Sequence, residues 1–274
     1  MTAPDADSGD EVTLRGAAFF DLDKTLMEGS SALHFGRAAY NAGLVSKRQL
    51  LKDAWANVQF RLKGSTDETT QALWDRILES IAGTRVVDIA RLAPQVLAGL
   101  LPRVYPKMLA TAWAHQDAGR PVYIVTAASQ ELSGLLATVL GFDGGIGVRS
   151  EVRDGVYTGR PDGPFTYREG KAEAIRQMAA AEGLDLAESY AYSDSESDLP
   201  MLRAVGHPVA VNPDAELSRV AREQGWEVMH FDRLQRRLRI ASIAGAAGVV
   251  AAGAGYAAAR RTGPRGLRAR LGLA

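Results

Sequence analysis

Four short apolar runs, each ending in a polar loop, limit what this chain can fold into more than any other feature. They are GAAFFDLD (16–23), RPVYIVTAAS (120–129), ESYAYSDSESD (188–198) and HPVAVNPD (207–214). Runs this short and this apolar fit strands buried on both faces, and most are followed by helical periodicity. The pattern predicts an α/β fold, a Rossmann-like parallel sheet with helices packed on it. In such sheets ligands collect at the carboxyl ends of the strands. Three of the four runs end there in acid-rich or hydroxyl-rich loops.

The first two runs are separated by roughly a hundred residues, whereas a crossover between parallel strands needs far fewer. Residues 31–60 and 66–81 carry apolar side chains at helical spacing, among them Leu33, Phe35, Trp55, Phe60, Leu73, Trp74, Ile77 and Leu78, with Gly64 and Gly83 as punctuation. The surplus is read as a helical cap over residues 31–99, inserted into a core made of 15–30 and 100–232. Residues 146–160 alternate apolar and polar about Asp154-Gly155, a hairpin signal. A helix is expected over 167–183, starting near Gly170-Lys171.

The ends of the chain read differently from its body. Residues 1–14 are small, polar and acidic, and are expected to be a disordered lead-in. They lack the positive start and apolar run of a secretory signal, so a cytoplasmic protein is expected. From Arg233 onward there are nine arginines and no acid, leaving the preceding residues with a net charge of −9. An acidic body argues against a nucleic-acid-binding core. Residues 240–259 form an uncharged run rich in Ala and Gly and flanked by arginines, which predicts a C-terminal apolar helix just long enough to span a bilayer. With its flanks, the tail 233–274 is expected to touch an anionic membrane surface, attaching the protein to the inner face of the cell membrane.

The chain has no cysteine, which excludes thiolate metal sites and cysteine nucleophiles, and its four histidines are scattered. Carboxylates carry the chemistry instead. Asp21 and Asp23 stand two apart at the end of the first run. One carboxylate there can attack phosphorus if cations screen the repulsion, and its neighbour can pass protons. Thr126 and Ala127 close the second run, where a hydroxyl and free backbone N–H groups would cradle a phosphate. Lys171 opens a helix, a poor place for a positive charge unless it faces an anion. Asp194 and Asp198 follow the third run with the oxygen-donor character of a hard-cation site. An ordinary N-cap role for Asp198 is compatible with that.

In this order, DLDKT, Thr126, Lys171 and DSESD, the chain resembles the haloacid dehalogenase superfamily over roughly residues 15–230. A helical cap between the first two motifs, together with HPVAVNPDAEL after the fourth, is similar to the phosphoserine-phosphatase-like branch, subfamily IB. The resemblance implies a Mg²⁺-dependent phosphatase acting on a small phosphomonoester through an aspartyl-phosphate. By the same resemblance Asp21 is the nucleophile, and Asp23 is the acid/base that offers its backbone carbonyl to the metal. Thr126, Ala127 and Lys171 hold the phosphoryl group, Asp194 ligates the metal, and Asp198 completes the metal site from behind its direct ligands or orients Lys171. The chain departs from that branch at Ser30, where a substrate-binding glutamate is usual, although Glu28 is close by; Ser195 and Ser197 also replace the usual Gly and Asn. Glu28, Ser30, Arg61 and Arg76 are the candidates for substrate contact. The DKT string is also similar to P-type ATPases, which would move the nucleophile to Asp23, but the Gly-Thr that follows in them is missing. A phosphotransferase, a membrane lysolipid or glycerol-phosphate phosphatase, and a non-catalytic tethered binding protein remain the alternatives.

Overall fold

The computed structural model describes residues 15–46, 75 and 78–231. Six parallel strands form one sheet in the order β3-β2-β1-β6-β7-β8. They are β1 (Ala18–Asp21), β2 (Val122–Ser129), β3 (Gly144–Val148), β6 (Tyr190–Ser193), β7 (His207–Val211) and β8 (Glu227–Met229). The four apolar runs supply the central strands, and every residue of β1 is buried. Phe19 and Phe20 point to opposite faces, as alternation along a strand requires. Phe19 stacks on Tyr123 and packs with Val125, Ile175, Met201 and Leu202, while Phe20 stacks on Tyr192 at 4.3 Å.

The strand order places the chemistry. From β1 the chain moves to one side to build β2 and β3, then returns to build β6, β7 and β8 on the other. The crevice at the carboxyl ends of β1 and β6 is therefore the topological switch point, where ligands bind in open α/β sheets. Asp21 ends β1, and Asp194 immediately follows β6.

Helices α1 (Ser31–Asn41), α2 (Val86–Ala90) and α3 (Ala93–Leu100) belong to the stretch expected to form a cap. Residues on either side of that stretch run together: Tyr105 donates its N–H to the Leu26 carbonyl at 2.9 Å, and Glu28 donates to Arg103 at 2.8 Å. The stretch thus leaves and returns at one place beside β1. Leu78 is buried as its periodicity predicts, but Leu33 is 57% exposed, because α1 turns Ser31, Ala38 and Ala39 inward instead. Trp55, Phe60, Leu73, Trp74 and Ile77 lie outside the described residues.

The hairpin is shorter than its alternation suggests. Strands β4 (Ser150–Arg153) and β5 (Val156–Pro161) pair antiparallel about Asp154 and Gly155, both at positive φ, whereas residues 146–148 belong to β3 of the main sheet. Helix α4 (Pro106–Asp117) precedes β2, α5 (Gln130–Leu140) follows it, and α6 (Glu169–Glu182) covers nearly the whole of its expected span. A short α7 (Leu199–Arg203) and α8 (Ala215–Gln224) complete the unit, which ends at Met229. Among the described residues no helix is long and apolar enough to cross a membrane. The lead-in 1–14 and the run 240–259 lie outside those residues.

His115, buried at the end of α4, fixes one face of the sheet. Arg120 donates its Nε–H to His115 Nδ1 at 2.8 Å, so Nδ1 keeps its lone pair and Nε2 carries the proton facing Tyr192 Oη at 2.7 Å. Burial, helped by the Arg120 charge, pushes the imidazole down to about 4 from an ordinary 6.5. An unfolded chain takes up that proton near pH 6.5 and the folded chain only near 4. Stability is therefore intact above 6.5 and lost as pH falls through this window. The loss attributable to His115 is on the order of 2 kcal/mol. Urea titrations of wild type and His115→Gln at pH 4.5 and 7 check it, and equal losses in the two proteins refute it.

Candidate active site

Lys171 is the centre of the site. Gly170 enters α6 so close to the chain before it that a Cβ there would lie 1.8 Å from the Phe165 carbonyl oxygen, which only glycine permits. This packing sets Lys171 at the start of the helix, buried to 3% exposure. Its Nζ donates to Asp21 Oδ1 at 2.6 Å and to Asp198 Oδ2 at 2.8 Å. Three of the four sequence motifs contribute to the cluster, since Asp194 also acts electrostatically on both Asp21 and Lys171.

The fourth motif lies alongside. Asp21 is level with Val125 in the parallel ladder, so Thr126 is the next residue on the adjacent strand. Thr126 is buried and its Oγ1 accepts from the Ala128 N–H at 3.1 Å, while Ala127 is exposed. Strand β2 runs on to Ser129, whose hydroxyl caps α5 by accepting from Leu132 N–H. The N-cap of α5 therefore stands three residues beyond Thr126, and the helix starts within Ser129-Gln130-Glu131 as its sequence predicts.

Asp198 is not a side-chain N-cap. It precedes α7, but its Oδ2 takes hydrogen bonds from Lys171 and from the Ser193 hydroxyl at 2.7 Å. Its Oδ1 is buried without a hydrogen-bond partner. Asp23 turns the other way. Its Oδ1 accepts from the Ser31 N–H at 2.8 Å, occupying the N-terminus of α1, and its Oδ2 accepts from the Ser30 hydroxyl at 3.1 Å. Ser30, expected near substrate, thus holds Asp23. Glu28 is partly buried beside the same turn, whereas Arg61 and Arg76 fall outside the described residues.

Charge is concentrated here at a cost. Burial pushes the Asp21 carboxyl up to about 8, with Asp198 and Asp194 adding to the rise and Lys171 opposing it. Burial likewise raises Asp194 to about 6, against the pull of Lys24 at 3.6 Å. Burial works to lower Lys171, but Asp198 and Asp21 outweigh it and hold the ammonium above its ordinary range. Backbone strain surrounds the cluster: Lys24 (φ 64°) after β1, Arg168 (φ 49°) before α6 and Asn212 (φ 43°) after β7 all adopt the left-handed region. Such strain gathers where a site over-determines the backbone. A larger cavity of about 580 Å³ lies at the other end of the sheet, by the amino ends of β6, β7 and β8, away from these carboxylates.

The family model for haloacid dehalogenase-like hydrolases matches residues 18–203. The chain belongs to that family. Among relatives of this hydrolase, the phosphoserine phosphatase SerB1 of Mycobacterium tuberculosis is 38% identical over 264 residues, covering 94% of this chain and 85% of that one. The histidinol-phosphatase of Neisseria meningitidis is 30% identical, covering 80% of this chain and all of that one. A crystal structure of a Bordetella pertussis protein of unknown function aligns with a TM-score of 0.71 at 30% identity, covering 79% and 99% of the two chains. The hydrolase is a phosphatase of the phosphoserine-phosphatase-like branch.

Phosphatases of this family generally use Mg²⁺. Among the described residues no group of three or more acidic or histidine side chains is by itself arranged to hold a metal. The carboxylate of Asp23 is engaged by the Ser31 N–H and the Ser30 hydroxyl, which is compatible with the expectation that Asp23 offers a metal its backbone carbonyl. What remains still suits Mg²⁺, which takes one or two carboxylates and fills the rest with water and substrate oxygens. Asp21 and Asp194 offer hard oxygens, and the unpartnered Asp198 Oδ1 is an acceptor in the same pocket. Ser193 and Lys24 were not visible as site residues in the sequence.

Proposed function

We propose that this phosphatase hydrolyses a small phosphomonoester through a covalent aspartyl-phosphate on Asp21. The observation that supports it best is the buried ammonium of Lys171 shared between Asp21 and Asp198. A carboxylate so placed has a fixed direction of attack, and the ammonium beside it lies where phosphoryl charge develops. Asp21 attacks phosphorus as the bond to the leaving oxygen breaks, and Asp23 donates the proton that this oxygen takes up. Ionised Asp23 then removes a proton from water, whose oxygen attacks phosphorus and frees Asp21 and inorganic phosphate. Ser30 and the Ser31 N–H hold Asp23 in place for both transfers. Thr126 and the N–H of Ala127 face the phosphoryl oxygens. Mg²⁺, held by Asp21, Asp194 and the Asp23 carbonyl, would supply the positive charge that lets one anion approach another.

The relatives' names bring two substrate types. O-phosphoserine and histidinol phosphate share a phosphate on a CH₂ next to a carbon bearing an ammonium, and differ in the third group on that carbon, a carboxylate or an imidazolylmethyl. Hydrolysis of one or more small phosphomonoesters by the full-length protein, stopped by EDTA and restored by excess Mg²⁺, is the expected result in a phosphate-release assay. Undiminished release in chelator would remove the metal from this scheme, and silence across a broad panel of such esters with Mg²⁺ would refute the function.

A further inference from the structure

The three acids of the loop after β6 are each matched with a cation from elsewhere in the chain. Asp198 pairs with Lys171, Glu196 with Arg168 at 3.5 Å, and Asp194 with Lys24 at 3.6 Å. These pairs are built differently. Lys171 is enclosed and hydrogen-bonded to Asp198 at 2.8 Å, so that pair stays closed to solvent. The Lys24 side chain is 53% exposed, and at 3.6 Å its ammonium meets Asp194 by charge without a hydrogen bond. Asp194 itself is buried. The contact is displaceable.

Lys24 holds this position against its own backbone. It follows Asp23 with a φ of 64°, in the left-handed region where a lysine is strained and a glycine is not. The turn closes through the Leu26 N–H, which donates to the Asp21 and Leu22 carbonyls. Glycine at position 24 would make the same turn freely. The turn therefore does not account for a lysine, whereas the ammonium beside Asp194 does.

Resting on the Mg²⁺-dependent reading above, we infer that Lys24 competes with the metal for Asp194. Its ammonium neutralises that carboxylate in the metal-free chain and gives it up when Mg²⁺ takes it. One carboxylate cannot serve both cations at full strength, and an ammonium left close by repels the ion. The flexible four-carbon stem, half in solvent, lets the ammonium swing aside. Lys24 thus weakens Mg²⁺ binding, and in return screens Asp194 from the other buried acids before the metal arrives. Because the side chain is half-exposed, the effect on Kd is modest, about fivefold.

The test titrates Mg²⁺ into metal-stripped full-length protein by calorimetry, without substrate and at low ionic strength. Lys24→Gln is expected to bind Mg²⁺ about fivefold more tightly than wild type, and Lys24→Arg to stay within about twofold of it. Added KCl should narrow the gap between wild type and Lys24→Gln, since the repulsion is screened. Lys24→Asn, whose side chain tolerates the left-handed φ, replaces Lys24→Gln should that variant fail to fold. A lysine that merely steadied the loop would give the opposite sign, because its loss would loosen Asp194 and weaken the metal. Unchanged or weaker Mg²⁺ binding in the neutral variant, with phosphate release still restored by Mg²⁺, overturns the inference and leaves the phosphatase reading standing. No Mg²⁺ binding by any of the proteins, with phosphate release persisting in EDTA, overturns the inference and the metal's place in the reaction together.

Discussion

Asp21→Asn is expected to abolish phosphate release, with kcat down by about 10⁴-fold or more, and to leave the chain folded. Asparagine fills the same space, and its amide oxygen still accepts from Lys171, but it cannot form the bond to phosphorus. The loss should fall on kcat for every ester alike, because the alcohol part of the substrate is untouched. A D21N protein with more than a few per cent of wild-type turnover would defeat the mechanism, and a collapsed one would show Asp21 to be structural.

The same substitution has a signature without substrate. Asp21 rises from an ordinary 3.8 to about 8 in the folded chain because it is buried. Between those values the folded state holds a proton that the unfolded state has released. The metal-free wild type therefore loses stability as pH climbs through that window. In D21N this component vanishes, so the two stability profiles converge toward pH 4 and separate toward pH 8 in favour of the variant. Parallel profiles in EDTA would show that burial does not dominate at Asp21.

The strands that carry the motifs could be read from the sequence because a central parallel strand is apolar on both faces, and this leaves a dense signal. The edge strands leave none. β8 has three residues, two of them exposed, and β3 begins Gly-Gly. The glycines of β3 were nevertheless informative: a Cβ on Gly145 would lie 2.4 Å from the backbone of Ser133, so the strand lies directly against α5. Glycine at a close approach hides a strand from any reading of apolar alternation. The site divides in the same way. Asp21, Lys171 and Asp198 could be identified because each ends a strand or opens a helix, where sequence patterns are strongest. That Ser193 holds Asp198, and that Ser30 holds Asp23 where a substrate contact was expected, follows only from folding, since both are serines without a pattern of their own.

Replacing Lys171 with methionine is expected to damage activity and stability together, unlike the change at Asp21. The side chain is about as long and fits the same slot, but the cluster loses the ammonium that Asp21 and Asp198 share at 2.6 and 2.8 Å. Two buried carboxylates then face each other, with Asp194 close enough to add to the repulsion. Removing one partner of a buried ion pair costs about 3–5 kcal/mol, largely because of the charge left behind. Protonation of the abandoned carboxylates relieves part of this, so the destabilisation should be smaller at pH 5 than at pH 8. Turnover should fall about 10³-fold, since a donor aimed at the developing phosphoryl charge has gone. Lys171→Arg should not rescue it: the buried slot admits one compact ammonium, and a planar guanidinium cannot reproduce both contacts. Adding Asp198→Asn to K171M separates the two effects. It removes one of the stranded charges and should recover part of the stability, but none of the turnover. Recovery of kcat in the double variant, or near-normal kcat in K171M alone, would mean that Lys171 only neutralises its neighbours and takes no part in phosphoryl transfer.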